Sequence, residues 1–141
     1  RFAVLDPDGR GARPAVAADQ EPRIVFHVLR DEARGVGELL DEVEAMLADY
    51  RSRGQRLRVE VVAHAAGLAL LRQGLSRHRE RIAALADAYP NLAFVACRNT
   101  IDRLRVEQGV EVVLLPEAET TESGVAHVVR RQQEGWAYIK V

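Results

Sequence analysis

Five short apolar runs recur along this chain, and the stretches between them carry helical spacing, caps or stops. That alternation constrains the fold more than any other feature. The runs occupy residues 24–29, 57–63, 92–96, 110–115 and 136–141. The first reads Ile-Val-Phe-His-Val-Leu, β-branched and almost continuously apolar, as a strand covered on both faces requires. After it, Val36, Leu39, Leu40, Val43, Met46, Leu47 and Tyr50 fall mostly three and four apart, one stripe of a helix that Gly54 terminates. Acidic residues crowd the first half of that helix and Arg51 and Arg53 its end, as the helix dipole favours.

The remaining connections are read the same way. A short apolar helix is expected at 68–71, and a longer one from a Ser76 cap through Ile82, Leu85, Ala86 and Tyr89 to Pro90. Asn99 reads as the cap of the next, with Asp102 three residues on as in a capping box and Gln108-Gly109 at its end. Residues 116–121 read as a polar connection. Ser123 then caps a helix with Val125, Val128 and Val129 as its inner stripe. Parallel strands need such crossovers, each right-handed, so the expected fold is a three-layer α/β/α sandwich on a mainly parallel five-stranded sheet. Exposed edges and an aromatic closing run point to a homo-oligomer.

With 141 residues the chain can bury a core without disulfide or metal staples, and one domain over 24–141 is expected. Residues 1–23 hold three of the 5 prolines and read as an N-terminal tail, flexible or docked; Phe2, Val4 and Leu5 fit a short edge strand. Basic and acidic side chains number 20 and 21, and a net charge of -1 gives no field with which to hold a phosphate backbone. Nucleic acid is therefore not the expected partner. No apolar run approaches the ~20 residues that cross a bilayer, so no membrane span is expected. The chain begins at Arg1, and upstream residues are expected to be missing; the expected location is cytoplasmic, or periplasmic if a signal peptide preceded Arg1.

Chemistry is expected at Cys97. As the single cysteine it has no internal disulfide partner, so any chemistry of its thiol must involve a small molecule or a second protein. It closes the third apolar run, and ligands of open α/β sheets gather at the carboxyl ends of strands. Unpaired amides at the start of the following helix would stabilise a thiolate and lower its pKa below about 8.5. The plainer alternative is a small buried hydrophobe. His64, at the end of the neighbouring second run, is the candidate base or hydrogen-bond partner for the thiol, against the alternative of satisfying a loop carbonyl. Arg98 would add charge if turned inward, and Asn99 and Thr100 are caps that could also shape a substrate-binding pocket for sulfur.

Other readings find no support. His27 reads as a hydrogen-bonded core histidine, and His78 and His127 as surface residues. There is no His-x-x-x-His or Cys-x-x-Cys, and Glu38, Asp41 and Glu42 read as a solvated face, so no metal is expected. Gly35-Val36-Gly37 lacks the third glycine of a dinucleotide fingerprint because position 40 is Leu, and there is no Walker lysine or Gly-x-Ser-x-Gly elbow, so no cofactor is expected. Trp136 and Tyr138 share one face of the last run, placing them in the core or at a subunit contact.

Four segments carry a resemblance: Val25-Phe26-His27-Val28, Phe94-Val95-Ala96-Cys97-Arg98-Asn99-Thr100, Ser123-Gly124-Val125, and Gly135-Trp136-Ala137-Tyr138-Ile139-Lys140. Together they resemble the DsrE-like (DsrE/DsrF-like) sulfur-relay family over roughly residues 23–141, with Val141 where proline would be expected. The resemblance implies a parallel five-stranded sheet with the closing strand beside the first, and homo- or hetero-oligomers. In some members it also implies a cysteine that accepts and passes on sulfur as a persulfide, while other members have no established activity. The expected function is thus a sulfur carrier or sulfurtransferase-type relay on Cys97, with sulfur donor and acceptor proteins or small sulfur species as partners. The alternative is a non-catalytic oligomeric binding or scaffold protein of the same fold.

Overall fold

The computed structural model describes residues 4, 5 and 21–141. In chain order the elements are β1 (Val4–Leu5), β2 (Arg23–Val28), α1 (Ala33–Ser52), β3 (Arg58–Ala63), a 3₁₀ segment (Ala65–Leu71), α2 (Arg79–Ala88), β4 (Leu92–Cys97), α3 (Arg98–Gln108), β5 (Ala118–Thr121), α4 (Gly124–Gln133) and β6 (Ala137–Lys140). Strands β6, β2, β3, β4 and β5 lie side by side in that order and all parallel, and β1 adds antiparallel to the outer edge of β6. The expected three-layer α/β/α fold on a five-stranded parallel sheet is present.

Handedness distributes the helices unequally. From β2 to β5 the chain steps across the sheet in one direction, and right-handed crossovers then place α1, α2 and α3 on one face. The return from β5 at one edge to β6 at the other reverses direction, so the same handedness puts α4 alone on the opposite face. Strand alternation sends Phe26, Val61 and Phe94 into a large core with Leu39, Leu40 and Leu71, and sends Val25, Val62 and Val95 into a small one with Val128 and Trp136. Each fully buried Leu, Val or Phe contributes about 1.5–3 kcal/mol, so the large core dominates stability. The α4 face is free to carry polar groups.

Several expectations are corrected. Residues 110–115 do not enter the sheet: Leu114 forms an isolated antiparallel bridge with Arg72, Gln73 N donates to Val113 O at 2.8 Å, and Leu115 N donates to Leu71 O at 2.9 Å. The edge position belongs instead to β5, Ala-Glu-Thr-Thr, read from sequence as a polar connection. An edge strand with solvated surroundings needs no apolar run, whereas the alternating 110–115 segment seals the flank of the large core, with Leu115 buried and Val113 60% exposed. The short helix at 68–71 is a 3₁₀ segment starting at Ala65. Ser76 does not cap α2; its Oγ accepts from His78 N at 3.3 Å in the bend before the helix.

Val4 and Leu5 of the tail pair with Ile139 and Tyr138 of β6. Phe2 and the rest of the tail, residues 1–3 and 6–20, lie outside the described residues. Among the described residues no helix is long and apolar enough to cross a membrane.

Candidate functional site

Cys97 is the last residue of β4 and at the same time the N-cap of α3, so the chain passes from strand to helix without a loop. Asn99 is therefore not the cap. It lies exposed in the first turn, where its N–H donates to Glu122 O at 3.1 Å, and Asp102 pairs with Arg105 at 3.5 Å rather than closing a capping box. The neighbouring 121–123 loop supplies the carbonyl that a side-chain cap would otherwise replace.

The sulfur is held from another helix. Gly124 N, at the start of α4, donates to Cys97 Sγ at 3.2 Å. Burial pushes the Cys97 thiol up, but the Gly124 amide, the Thr100 hydroxyl and the Thr100 and Asn99 amides outweigh it and leave the thiol below its ordinary value. The Cys97 side chain makes no capping hydrogen bond to α3, so the amides of its own helix act as dipoles rather than formed partners. Cys97 is 1% exposed.

His64 follows β3 directly. Continuing the Ala63–Ala96 register puts it beside Cys97 on the α4 face. A Cβ on Gly124 would lie 3.2 Å from the Cβ atoms of both Cys97 and His64 and 3.6 Å from Sγ, so a glycine is what lets the first turn of α4 settle onto both residues. Ala65, next in the chain, has φ 54°, a left-handed conformation that costs a non-glycine residue about 1–2 kcal/mol. Its amide donates to Thr100 Oγ1 at 3.1 Å, which ties the His64 turn to α3 and leaves the Thr100 hydrogen free for the sulfur.

Two residues that sequence reasoning did not assign to the site extend it. The rings of His27 and His64 stack with centroids 5.5 Å apart, and His27 Nδ1 is 2.8 Å from the Tyr138 hydroxyl. Burial, then His64 and then Lys140, push His27 down to about 4, while burial and Arg103 lower His64. Burial pushes the Tyr138 phenol up, so it keeps its proton. His27 Nε2 and His64 Nδ1 are both buried without a hydrogen-bond partner. The core reading of His27 is correct in its burial and its bond to Tyr138, but a second nitrogen stays unpaired. Tyr138, His27, His64 and Cys97 thus cross β6, β2, β3 and β4 in a diagonal line.

Of the expected binding residues, Thr100 alone faces the sulfur. Arg98 is exposed and its guanidinium donates to Thr120 Oγ1 on β5 at 2.8 Å, so it does not turn inward. Among the described residues no group of three or more His, Cys, Asp or Glu could hold a metal ion. A surface cavity at the amino end of the sheet, lined by Tyr50, Arg51, Tyr89 and Asn91, is filled in part by the Arg51 guanidinium stacked 4.1 Å over Tyr89 and holds no nucleophile.

A second polar cluster lies under α4. Glu60 of β3 accepts from His127 Nε2 at 2.7 Å and from Arg131 Nε and Nη2 at 3.0 and 2.8 Å, while Arg131 also pairs with Glu134 and stacks 4.7 Å over Trp136. Burial alone would raise the Glu60 carboxyl, but the bonds from His127 and Arg131 bring it down to about 2. His127 is therefore no surface residue. The buried carboxylate draws His127 and Arg131 toward the sheet and turns Val125 and Val129 outward, to 49% and 45% exposure, so the inner stripe of α4 is Gly124 and Val128.

No protein-family model matches the chain, and no curated protein matches it. Among solved structures it is similar to MTH1491, a protein of unknown function from Methanobacterium thermoautotrophicum. The two share 34% sequence identity over 86% of this chain and 100% of that one, with a TM-score of 0.73.

Proposed function

This chain belongs to the family of the Methanobacterium thermoautotrophicum protein MTH1491, and we propose that it is a sulfur carrier of the relay type, holding sulfur as a persulfide on Cys97. The observation that carries the proposal is the Gly124 amide directed at Sγ from 3.2 Å, a donor supplied by a second helix that contributes most to holding the thiol below its ordinary pKa. The resemblance to DsrE-like proteins supports the same reading.

The Cys97 thiolate attacks the outer sulfur of a donor persulfide, R–S–S⁻. The donor S–S bond breaks, R–S⁻ leaves with its electron pair, and Cys97–S–S⁻ remains with its charge against the same amides. An acceptor thiolate then attacks the terminal sulfur and regenerates Cys97–S⁻, so sulfur moves without net oxidation. Neutral His64 takes the proton of an incoming thiol and returns it to a leaving one. Donor and acceptor proteins or small sulfur species are the proposed partners, and a reducing cytoplasm suits a lone thiol. The outward Val125 and Val129, on a sheet face covered by one helix, support a homo-oligomer.

The 1% exposure of Cys97 favours the rival reading, a scaffold in which the cysteine only packs. Intact-mass measurement after exposure to polysulfide separates the two. A carrier gains whole sulfur atoms on Cys97, and Cys97→Ser abolishes the gain at little cost in stability. A wild-type protein that gains none, with a Cys97→Ser variant destabilised by the about 1–3 kcal/mol of an unpaired buried hydroxyl, leaves the scaffold standing.

A further inference from the structure

A sulfur held on Cys97 can leave in two ways. The persulfide Cys97–S–S⁻ has an inner sulfur, the Sγ of the residue, and an outer one. An incoming thiol R–SH that bonds to the outer sulfur breaks the S–S bond, expels Cys97–S⁻ with the electron pair and carries the sulfur away as R–S–SH. The same thiol bonding to the inner sulfur expels hydrosulfide, HS⁻, and leaves the mixed disulfide Cys97–S–S–R. Both outcomes consume one thiol and one persulfide and put the thiol proton on the outer sulfur. They differ in which sulfur departs with the electron pair.

Leaving ability decides between them, because the sulfur whose anion is better stabilised departs faster. Hydrosulfide is the anion of a stronger acid than an ordinary cysteine, so an unassisted persulfide readily releases it. The donors at this site act on the other sulfur. Gly124 N donates to Sγ at 3.2 Å from the start of α4, and the Thr100 hydroxyl bonds it from α3. Thr100 is buried, at 4% exposure, and its Oγ1 accepts from Ala65 N at 3.1 Å. A hydroxyl has a single hydrogen, and with an amide already on the oxygen that hydrogen is left for the sulfur. Ala65 presents the amide from a left-handed turn, φ 54°, uncommon for a non-glycine residue. The inner sulfur is also packed: a Cβ on Gly124 would stand 3.6 Å from Sγ, so the first turn of α4 occupies one approach to it.

We infer that Thr100 decides how bound sulfur leaves: its hydroxyl, aimed by the Ala65 amide, holds Sγ as the departing anion, so that sulfur passes to an acceptor thiol and is not lost as hydrosulfide. The inference rests on the carrier reading and specifies its second half. The reaction that consumes the product must accordingly use sulfur as a persulfide and not as free sulfide.

Wild-type protein, Thr100→Val and Thr100→Ser are loaded from inorganic polysulfide, freed of excess reagent and given an equimolar amount of 2-mercaptoethanol, with the early products fixed by acid and weighed intact. Free Cys97 reports transfer, and the mercaptoethanol mixed disulfide reports release of hydrosulfide. A persulfidated cysteine in an unstructured peptide sets the unassisted ratio. Relative to that peptide the wild type should favour transfer about two- to fivefold. Thr100→Val, of similar shape without the hydroxyl, should lose most of the preference, and Thr100→Ser should keep it. A merely structural role would lower the melting temperature of Thr100→Val and leave its ratio at the wild-type value; that result, in protein that loads sulfur, overturns the inference and leaves the carrier reading intact. A wild-type ratio equal to the peptide's overturns it as well, whether or not Thr100→Val folds. A wild-type protein that takes up no sulfur removes the carrier reading and the inference together.

Discussion

Two polar clusters share the sheet face beneath α4, and they are built on opposite principles. Around Glu60 the carboxylate receives bonds from His127 and Arg131, Arg131 is further held by Glu134 and by the Trp136 ring, and helix and sheet are clamped together, with the Trp136 indole N–H the one buried polar atom of these five side chains that has no partner. Around Cys97 the thiol is held by the Gly124 amide and the Thr100 hydroxyl, and two imidazole nitrogens are buried with nothing bound. Satisfied buried networks rigidify a fold, whereas unsatisfied polar groups are costly and persist where something else needs them. The difference assigns anchoring to the first cluster and chemistry to the second, and that assignment can be broken.

The largest effect is expected at the anchor. Glu60→Ala leaves the His127 ring without its acceptor and takes one of the two carboxylates from Arg131, which is 29% exposed and keeps Glu134, so the cost should fall at the low end of the about 3–5 kcal/mol for breaking a buried pair from one side. Chemical denaturation should show that loss, with Glu60→Gln intermediate. If Glu60→Ala instead leaves stability within about 1 kcal/mol and changes mainly Cys97 reactivity, the two clusters act as one unit and the contrast fails.

Acid should unfold the two clusters' contributions in sequence. His27 is lowered from 6.5 to about 4, so below pH 6.5 the unfolded state takes up its proton first. Stability from this group is full above that pH and is lost as pH falls toward about 4, on the order of 3 kcal/mol in all. His64 and His78 are shifted in the same direction and steepen the same window. Glu60 is lowered from 4.5 to about 2, so its contribution is held above pH 4.5 and lost only as pH falls toward 2. Stability measured across pH should therefore decline in two stages. His27→Gln, which keeps a partner for Tyr138 but does not titrate, should flatten the upper stage and leave the lower one; an unchanged upper slope would mean His27 is not the neutral buried group described.

How much of this was written legibly in the sequence depends on whether the signal is local. The strands at 24–29, 57–63, 92–96 and 136–141 announce themselves because burial on both faces demands apolar residues, and Cys97 and His64 stand out by following two of them. The edge strand β5 carries no such demand, so Ala118–Thr121 passed for a connection while the more apolar 110–115 segment passed for the strand. The site residues His27, Tyr138 and Gly124 depend on sheet order and register: only with β6 beside β2 does Tyr138 meet His27, and only with α4 alone on its face does Gly124 reach Cys97. Glu60 likewise gives no local sign that it will turn His127 and Arg131 inward. Asn99 was read as a cap because Asx side chains favour that position, but a carbonyl from residue 122 had already taken its amide.

The smallest expected effect tests the join between the clusters, Gly124→Ala. The added methyl would sit 3.2 Å from the Cβ atoms of Cys97 and His64, tighter than ordinary packing but short of a backbone collision, so α4 should ride outward by a few tenths of an ångström. Overpacking of this kind costs about 1 kcal/mol or somewhat more, a modest change beside the loss of Glu60. Because the glycine amide is the formed hydrogen bond to Sγ, the same shift lengthens that bond, and burial then weighs more heavily on the thiol. The thiol pKa should rise, and iodoacetamide labelling at neutral pH should slow, with Thr100 and the α3 dipole left as its remaining support. A variant that loses stability but labels at the wild-type rate would show that the cysteine is tuned by its own helix and that Gly124 only packs. Faster labelling would show that the close seating of α4 shields the sulfur more than it activates it, and the contrast between anchor and site would have to be redrawn with α4 as a cover over both.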